Sequence, residues 1–220
     1  MKTNRLSVRA ILAGILCSVC SISLIHADSV NINFDSVDTS SGPVDATNYL
    51  ASFGVTLSGE NPAGTVDIFS DQAYYGNNFV VASSENNFLF QSNNSQPNTY
   101  TLTFASPLES FGFTRIAYSS AGDGLLAGWS ADAYSGATLL DSVSEPYGAE
   151  FGGKPAALYT LSGDQYITSV TFSANGFGVA GVSSAPIDNL VLTTPEPSSW
   201  ALGLLAIGTF FYLRRRALRA

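Results

Sequence analysis

The sequence predicts an all-β fold, a two-sheet β-sandwich of jelly-roll type, and three observations predict it. Short runs of alternating apolar and polar residues fill the span from Asp28 to Thr194. Clusters of Gly, Asn, Ser and Asp separate those runs, as turns require. No stretch of that span keeps a helical period beyond two turns. Roughly a dozen strands must each bury one face, and two sheets laid against each other satisfy them together.

In chain order, Val30, Ile32 and Phe34 alternate with polar neighbours and predict a first strand. Phe53, Val55 and Leu57 predict a second, Tyr100, Leu102 and Phe104 a third, and Phe111 with Phe113 a fourth. Further strands are expected at 79–82, 88–91, 128–134, 138–143, 157–161, 166–172 and 187–192. The Gly122-Asp123-Gly124 stretch reads as a turn.

Charge divides the chain into three parts. Of nine Lys and Arg residues only Arg115 and Lys154 lie in the middle, whereas all seventeen acidic residues fall between Asp28 and Glu196, leaving that span at a formal −15. Such a surface repels nucleic acid and anionic lipid and suits cations or neutral partners. Both cysteines, Cys17 and Cys20, and the single histidine, His26, precede Asp28. The middle therefore has no thiolate nucleophile, no imidazole base and no His or Cys zinc ligand, which excludes the chemistry that needs them.

At the N-terminus, Lys2, Arg5 and Arg9 precede an apolar stretch over 10–25, and Ala27 offers a small residue at a cleavage boundary. That order is a secretory signal peptide, with cleavage expected after Ala27. Leu16 before Cys17 and Val19 before Cys20 are too bulky for a lipoprotein signal.

At the C-terminus, Pro195-Glu196-Pro197 is followed by an apolar run from Trp200 to Leu213 and then by Arg214, Arg215 and Arg216. The prolines favour an extended, accessible peptide. The run predicts a single transmembrane helix of about 21 Å, short against a hydrocarbon core of about 30 Å. The arginines should stay cytoplasmic, placing Glu196 outside. The expected organisation is a signal peptide at 1–27, an extracellular sandwich at 28–193 and a sorting tail at 194–220.

This tail resembles the PEP-CTERM sorting signal of Gram-negative bacteria: Pro195, Glu196 and Pro197 match its motif, and Ser198, Ser199, Trp200, Ala201 and Leu202 its usual continuation. The resemblance implies recognition by exosortase, an integral-membrane cysteine protease. With signal peptidase it would convert an inner-membrane-anchored precursor into a cell-surface or extracellular product. Asn33-Phe34-Asp35, the stretch from Phe53 to Gly59, the stretch from Leu102 to Pro107 and Ile187-Asp188-Asn189-Leu190 are similar to phrases of the sandwich domain common in PEP-CTERM proteins. That domain is in turn similar to galactose-binding-like and carbohydrate-binding-module sandwiches.

Asp35 ends the first expected strand and Asp188 sits in the last, and in such sandwiches these strands often lie side by side. Two carboxylates meeting there with nearby carbonyls would hold a structural calcium ion, since hard cations take oxygen ligands. The competing reading has Asp35 capping a turn and Asp188 facing solvent or a neighbouring strand. Among the aromatics Tyr74, Tyr75, Trp129, Tyr134 and Tyr147, those exposed would stack on sugar rings. Tyr74 and Tyr75 are favoured because Asp71, Gly76 and Asn77 suggest a loop, while the competing place for any of them is the core. Glu145 with Glu150 would suit glycoside hydrolysis only if the pair met in a cleft.

The function these readings support is an exported, exosortase-sorted, non-enzymatic protein, adhesive or structural and associated with exopolysaccharide. Its rivals are a carbohydrate-binding module with a defined glycan and, less favoured, a hydrolase of the extracellular polymer. No nucleic-acid partner is expected.

Overall fold

Two predicted strand pairs are in fact two continuous strands, and their bending builds the sandwich. The computed structural model describes residues 27–59, 66–70, 80–81, 87–91, 99–118, 128–146, 155–175 and 185–195. The strands are β1 (Ser29–Ile32), β2 (Val44–Asp45), β3 (Val55–Gly59), β4 (Val66–Ser70), β5 (Val80–Val81), β6 (Asn87–Gln91), β7 (Thr99–Arg115), β8 (Ala117–Tyr118), β9 (Gly128–Ser135), β10 (Thr138–Glu145), β11 (Ala157–Asn175) and β12 (Ile187–Thr193). One five-residue helix, α1 (Thr47–Ala51), buries Leu50 and follows Asp45, whose Oδ1 accepts the Thr47 N–H at 2.7 Å.

The hydrogen-bonded order β10-β9-β11-β7-β12-β6-β4-β2, with β1 on β12 and β3 on β7, describes one antiparallel sheet; β5 pairs β8 separately. Ring contacts show that the sheet doubles over. Phe172 of β11 is the register partner of Tyr100, and Phe113 lies thirteen residues further along β7. An extended strand would separate them by about 43 Å. Their ring centroids are 5.1 Å apart. The pairing of β7 with β11 jumps from Ser110–Ser162 to Leu108–Ile167 and then to Thr103–Ser169. Both strands turn there, around the exposed Ser106 and Pro107 on one and the exposed 163–166 on the other. Proline suits such a break because it donates no ladder bond.

One layer thus comprises β3, the first half of β7, the second half of β11, β9 and β10. The other comprises the first half of β11, the second half of β7, β12, β1, β6, β4 and β2. Tyr100, Leu102, Val170 and Phe172 from the first pack with Phe111, Phe113, Leu190 and Ile32 from the second in one core. Residues Ser29–Pro195 form a compact unit.

Phe53, expected in a strand, instead lies in the turn after α1 and is partly exposed, because Gly54 takes φ +73° there and the strand starts at Val55. β4 went unpredicted, since its apolar residues Val66, Ile68 and Phe69 do not keep strict alternation. The expected transmembrane run Trp200–Leu213 and the signal peptide before Ala27 lie outside the described residues. Among the described residues no helix is long and apolar enough to cross a membrane.

Candidate functional site

The first and last strands pair, as expected: Ser29 faces Thr193 and Ile32 faces Leu190. Beyond Leu190 the same edge of β12 passes to β6, where Ile187 faces Leu89. β1 and β6 therefore share one edge of β12 and change over at Asp188 and Asn189. The backbone is irregular there. The β12–β7 register shifts between Asp188 and Val191, and Asn189 has φ +50°, a left-handed conformation that Asn tolerates better than most residues. The Asn189 N–H donates to Asp188 Oδ1 at 2.7 Å.

Asp188 has no solvent exposure, so the reading that it faces water is wrong. Asp35 is half-buried. β1 ends at Ile32, so Asp35 does not end the strand as expected but lies three residues beyond it in a turn closed by the Val37 N–H on Phe34 O at 3.1 Å, while Asp188 lies two residues back from Leu190 along β12.

A residue that sequence reasoning missed fixes this turn. Asn87, at the start of β6 and buried, donates from Nδ2 to Phe34 O at 3.0 Å and Val37 O at 2.8 Å, and its Oδ1 accepts the Thr39 hydroxyl at 3.0 Å. One amide thus anchors the loop that carries Asp35. Its only sequence signal is an Asn heading an apolar run. Tyr49 adds a hydrogen bond from its hydroxyl to Asn33 O, and its ring meets Phe34 at 5.9 Å. Carboxylate oxygens beside carbonyls are donors a calcium ion would use. Among the described residues no group of three or more His, Cys, Asp or Glu gathers to hold a metal.

The second buried polar cluster joins the two layers. Glu145, at the end of β10, accepts Arg115 Nε at 3.0 Å and the Tyr159 hydroxyl at 2.6 Å on Oε1, and Trp129 Nε1 at 3.2 Å on Oε2. Arg115 also donates from Nη1 to Ile116 O at 2.8 Å. Arg115 is 2% exposed and Glu145 8%. Burial, and then the carboxylate of Glu145, push the Tyr159 hydroxyl up to about 12. Trp129 and Glu145 come from one layer, Arg115 and Tyr159 from the other, so the carboxylate pins them together.

This placement corrects one expected glycan contact. Trp129 is 3% exposed, with its ring edge-on to Phe113 at 5.9 Å and to Tyr159 at 5.3 Å. It is a core residue and presents no face to a sugar. The parity of β9 carries the signal: Trp129 alternates in step with Ala131 and Ala133, which are also buried. Tyr134 has the opposite parity and is half-buried. Tyr74, Tyr75, Tyr147, Glu150 and the Gly122-Asp123-Gly124 turn lie outside the described residues.

Ala27, the expected signal-cleavage residue, and Pro195, the first residue of the expected sorting motif, are both described and half-buried. The Ser29–Thr193 pair sets the two chain exits side by side. Glu196, Pro197, Trp200, Leu213 and Arg214, Arg215 and Arg216 lie outside the described residues.

Among curated proteins none matches this sequence. Of solved structures, the K2 cleaved adhesin domain of Lys-gingipain aligns with 76% of this chain and 100% of its own, at 10% identity and TM-score 0.48. TmCBM61, solved with β-1,4-galactotriose, aligns with 66% of this chain and 93% of its own, at 16% identity and TM-score 0.38. The family 32 carbohydrate-binding module of C. perfringens NanJ, solved with galactose, aligns with 64% of this chain and 94% of its own, at 14% identity and TM-score 0.33. Residues 193–217 match the PEP-CTERM protein-sorting motif, which begins at Thr193, the last residue of β12.

Proposed function

We propose that this protein is exported, held briefly in the inner membrane by its tail, cut by exosortase and delivered to the cell surface or matrix, where the sandwich serves as a non-enzymatic, adhesive or structural partner of exopolysaccharide. The observation that carries the reading is the sorting motif beginning at Thr193, the last residue of β12. The formal −15 of the span from Asp28 to Glu196 supports a neutral or cationic partner and disfavours nucleic acid. The engagement of Glu145 by three donors supports a structural rather than hydrolytic part for that carboxylate. A structural calcium ion held by Asp35 and Asp188 is part of the proposal.

Two measurements test it. Glu196→Ala should leave full-length protein in the membrane fraction, and normal release of that variant would remove the exosortase reading. Affinity electrophoresis of the released protein through the producing cell's own exopolysaccharide should show retarded migration. Retardation that fits one glycan with saturable affinity would favour the carbohydrate-binding-module reading, and release of reducing ends would favour a hydrolase.

A further inference from the structure

The five strands of the first layer share a second face, and it is lined with hydroxyls. In the register of these strands, Ser58, Thr101, Thr171, Asp132 and Ser142 stand in one row across β3, β7, β11, β9 and β10. The row on one side runs Thr56, Thr103, Ser169 and Tyr134 and ends on the exposed Leu139 at the β10 edge, and that on the other runs Thr99, Ser173, Ser130 and Ser144. Their sequence neighbours, among them Leu102, Val170, Phe172, Ala131 and Ala133, are buried in the core, so strand alternation turns the hydroxyls outward. Every residue of the three rows is exposed or half-buried.

We infer that this face is the docking surface for a neutral polysaccharide, laid flat across the strands. The inference rests on the exopolysaccharide reading above and names the surface that serves it. The charge distribution selects the occupant: in a span carrying seventeen acidic residues, these three rows hold one carboxylate and no cation. That carboxylate, Asp132, already accepts the Ser142 and Ser130 hydroxyls. Nucleic acid would find no counter-charge there. A lipid surface would find no apolar band. A protein partner would lack the Trp, Arg and clustered Tyr anchors that carry interface energy. A sugar hydroxyl, in contrast, meets groups that both donate and accept.

The rows also arrive ordered. Thr101 Oγ1 and Thr171 Oγ1 lie 2.9 Å apart in a cross-strand hydrogen bond, which holds two central side chains in place before anything binds. Members of a row lie about 4.8 Å apart from strand to strand, and successive rows about 6.7 Å apart along the strands. Each hydroxyl exchanges a water for a sugar at little net gain, so useful affinity requires many contacts at once. A polymer is therefore favoured over a mono- or trisaccharide.

The test uses the full chain purified in detergent, with dextran, galactan and cellulose as neutral probes, alginate as the anionic one and galactotriose as the short one. Thr101→Val/Thr103→Val/Thr171→Val removes three hydroxyls while keeping β-branched shape. Thr103→Arg, at an exposed position, crowds the face and serves if the triple variant melts early. Binding to at least one neutral polymer, weakened at least tenfold by either variant while galactotriose binds poorly, is the expected result. Unchanged binding in both variants would overturn this face and leave the exopolysaccharide reading standing, as would binding to alginate alone. Binding to none of the polymers, with the cell's own exopolysaccharide also ignored, would overturn the reading and this inference together.

Discussion

Two buried carboxylates stand in opposite layers, Glu145 in the first and Asp188 in the second, and the protein treats them differently. Glu145 meets a cation and two neutral donors, all brought to it by strands of the fold. Asp188 sits where β12 changes partner, next to a left-handed Asn189, and the amide of that residue folds back on it. A buried charge is tolerated when the surrounding groups complete its hydrogen bonds. The first site does this with side chains across the core and so acts as a pin. At the second, one partner is the amide of the next residue, on irregular backbone.

The largest expected effect comes from breaking the pin. Glu145→Ala leaves Arg115 charged and buried, which costs about 3–5 kcal/mol and lowers the melting temperature by roughly 10 °C. Arg115→Met/Glu145→Leu removes both charges and should recover much of that loss. A single variant that melts like the parent would show that the layers hold without the ion pair.

Asn87→Ala sharpens the other side of the comparison. It removes three hydrogen bonds, two of them to carbonyls of the loop carrying Asp35, and should cost about 2–3 kcal/mol. Hydrogen exchange should quicken at Ser36, Val37 and Asp38 well before the β7 and β11 amides. Uniform quickening would mean that Asn87 supports the whole core rather than one loop.

The proposed calcium is the next step down. A metal bound only by the folded state, at a free concentration of a hundred times its dissociation constant, stabilises by about 2.7 kcal/mol. Chelation should therefore lower the melting temperature by several degrees, and Asp188→Asn should melt alike with and without calcium. If the parent protein ignores chelator, Asp35 and Asp188 hold no cation.

Much of this comparison was legible in the sequence, for identifiable reasons. Alternation located the strands at Tyr100, Leu102 and Phe104 and at 128–134, within the observed β7 and β9, because one side of each is core and the other solvent. The adjacency of the first and last strands followed from the expected fold class rather than from any residue pattern. What periodicity cannot show is where a strand bends without ending: Pro107 and the Gly163-Asp164 step look like terminators, yet β7 and β11 run through them. The pin was hidden because its four residues come from four strands and only register joins them. Trp129 was misplaced for want of a parity argument, since chemistry alone allows an aromatic either role. The hydroxyl rows show the same limit: each strand's alternation of Thr and Ser is visible, but their alignment depends on pairing.

The smallest effect concerns Tyr159, whose hydroxyl donates to Glu145 at 2.6 Å. Burial first and the carboxylate second raise its titration to about 12, above the ordinary 10. The folded protein therefore holds that proton more tightly than the unfolded chain does. Its contribution is fully present below pH 10 and is lost as the pH rises through about 12. Tyr159→Phe should cost about 1 kcal/mol at neutral pH, as one lost hydrogen bond would. It should also flatten the fall in melting temperature between about pH 10 and pH 12 relative to the parent. An equal fall in both proteins would mean that other tyrosines set the alkaline limit and that Glu145 is held by Arg115 and Trp129 without help. A flatter profile in Tyr159→Phe would show the pin to be a four-residue unit, with the phenol as its alkali-sensitive member.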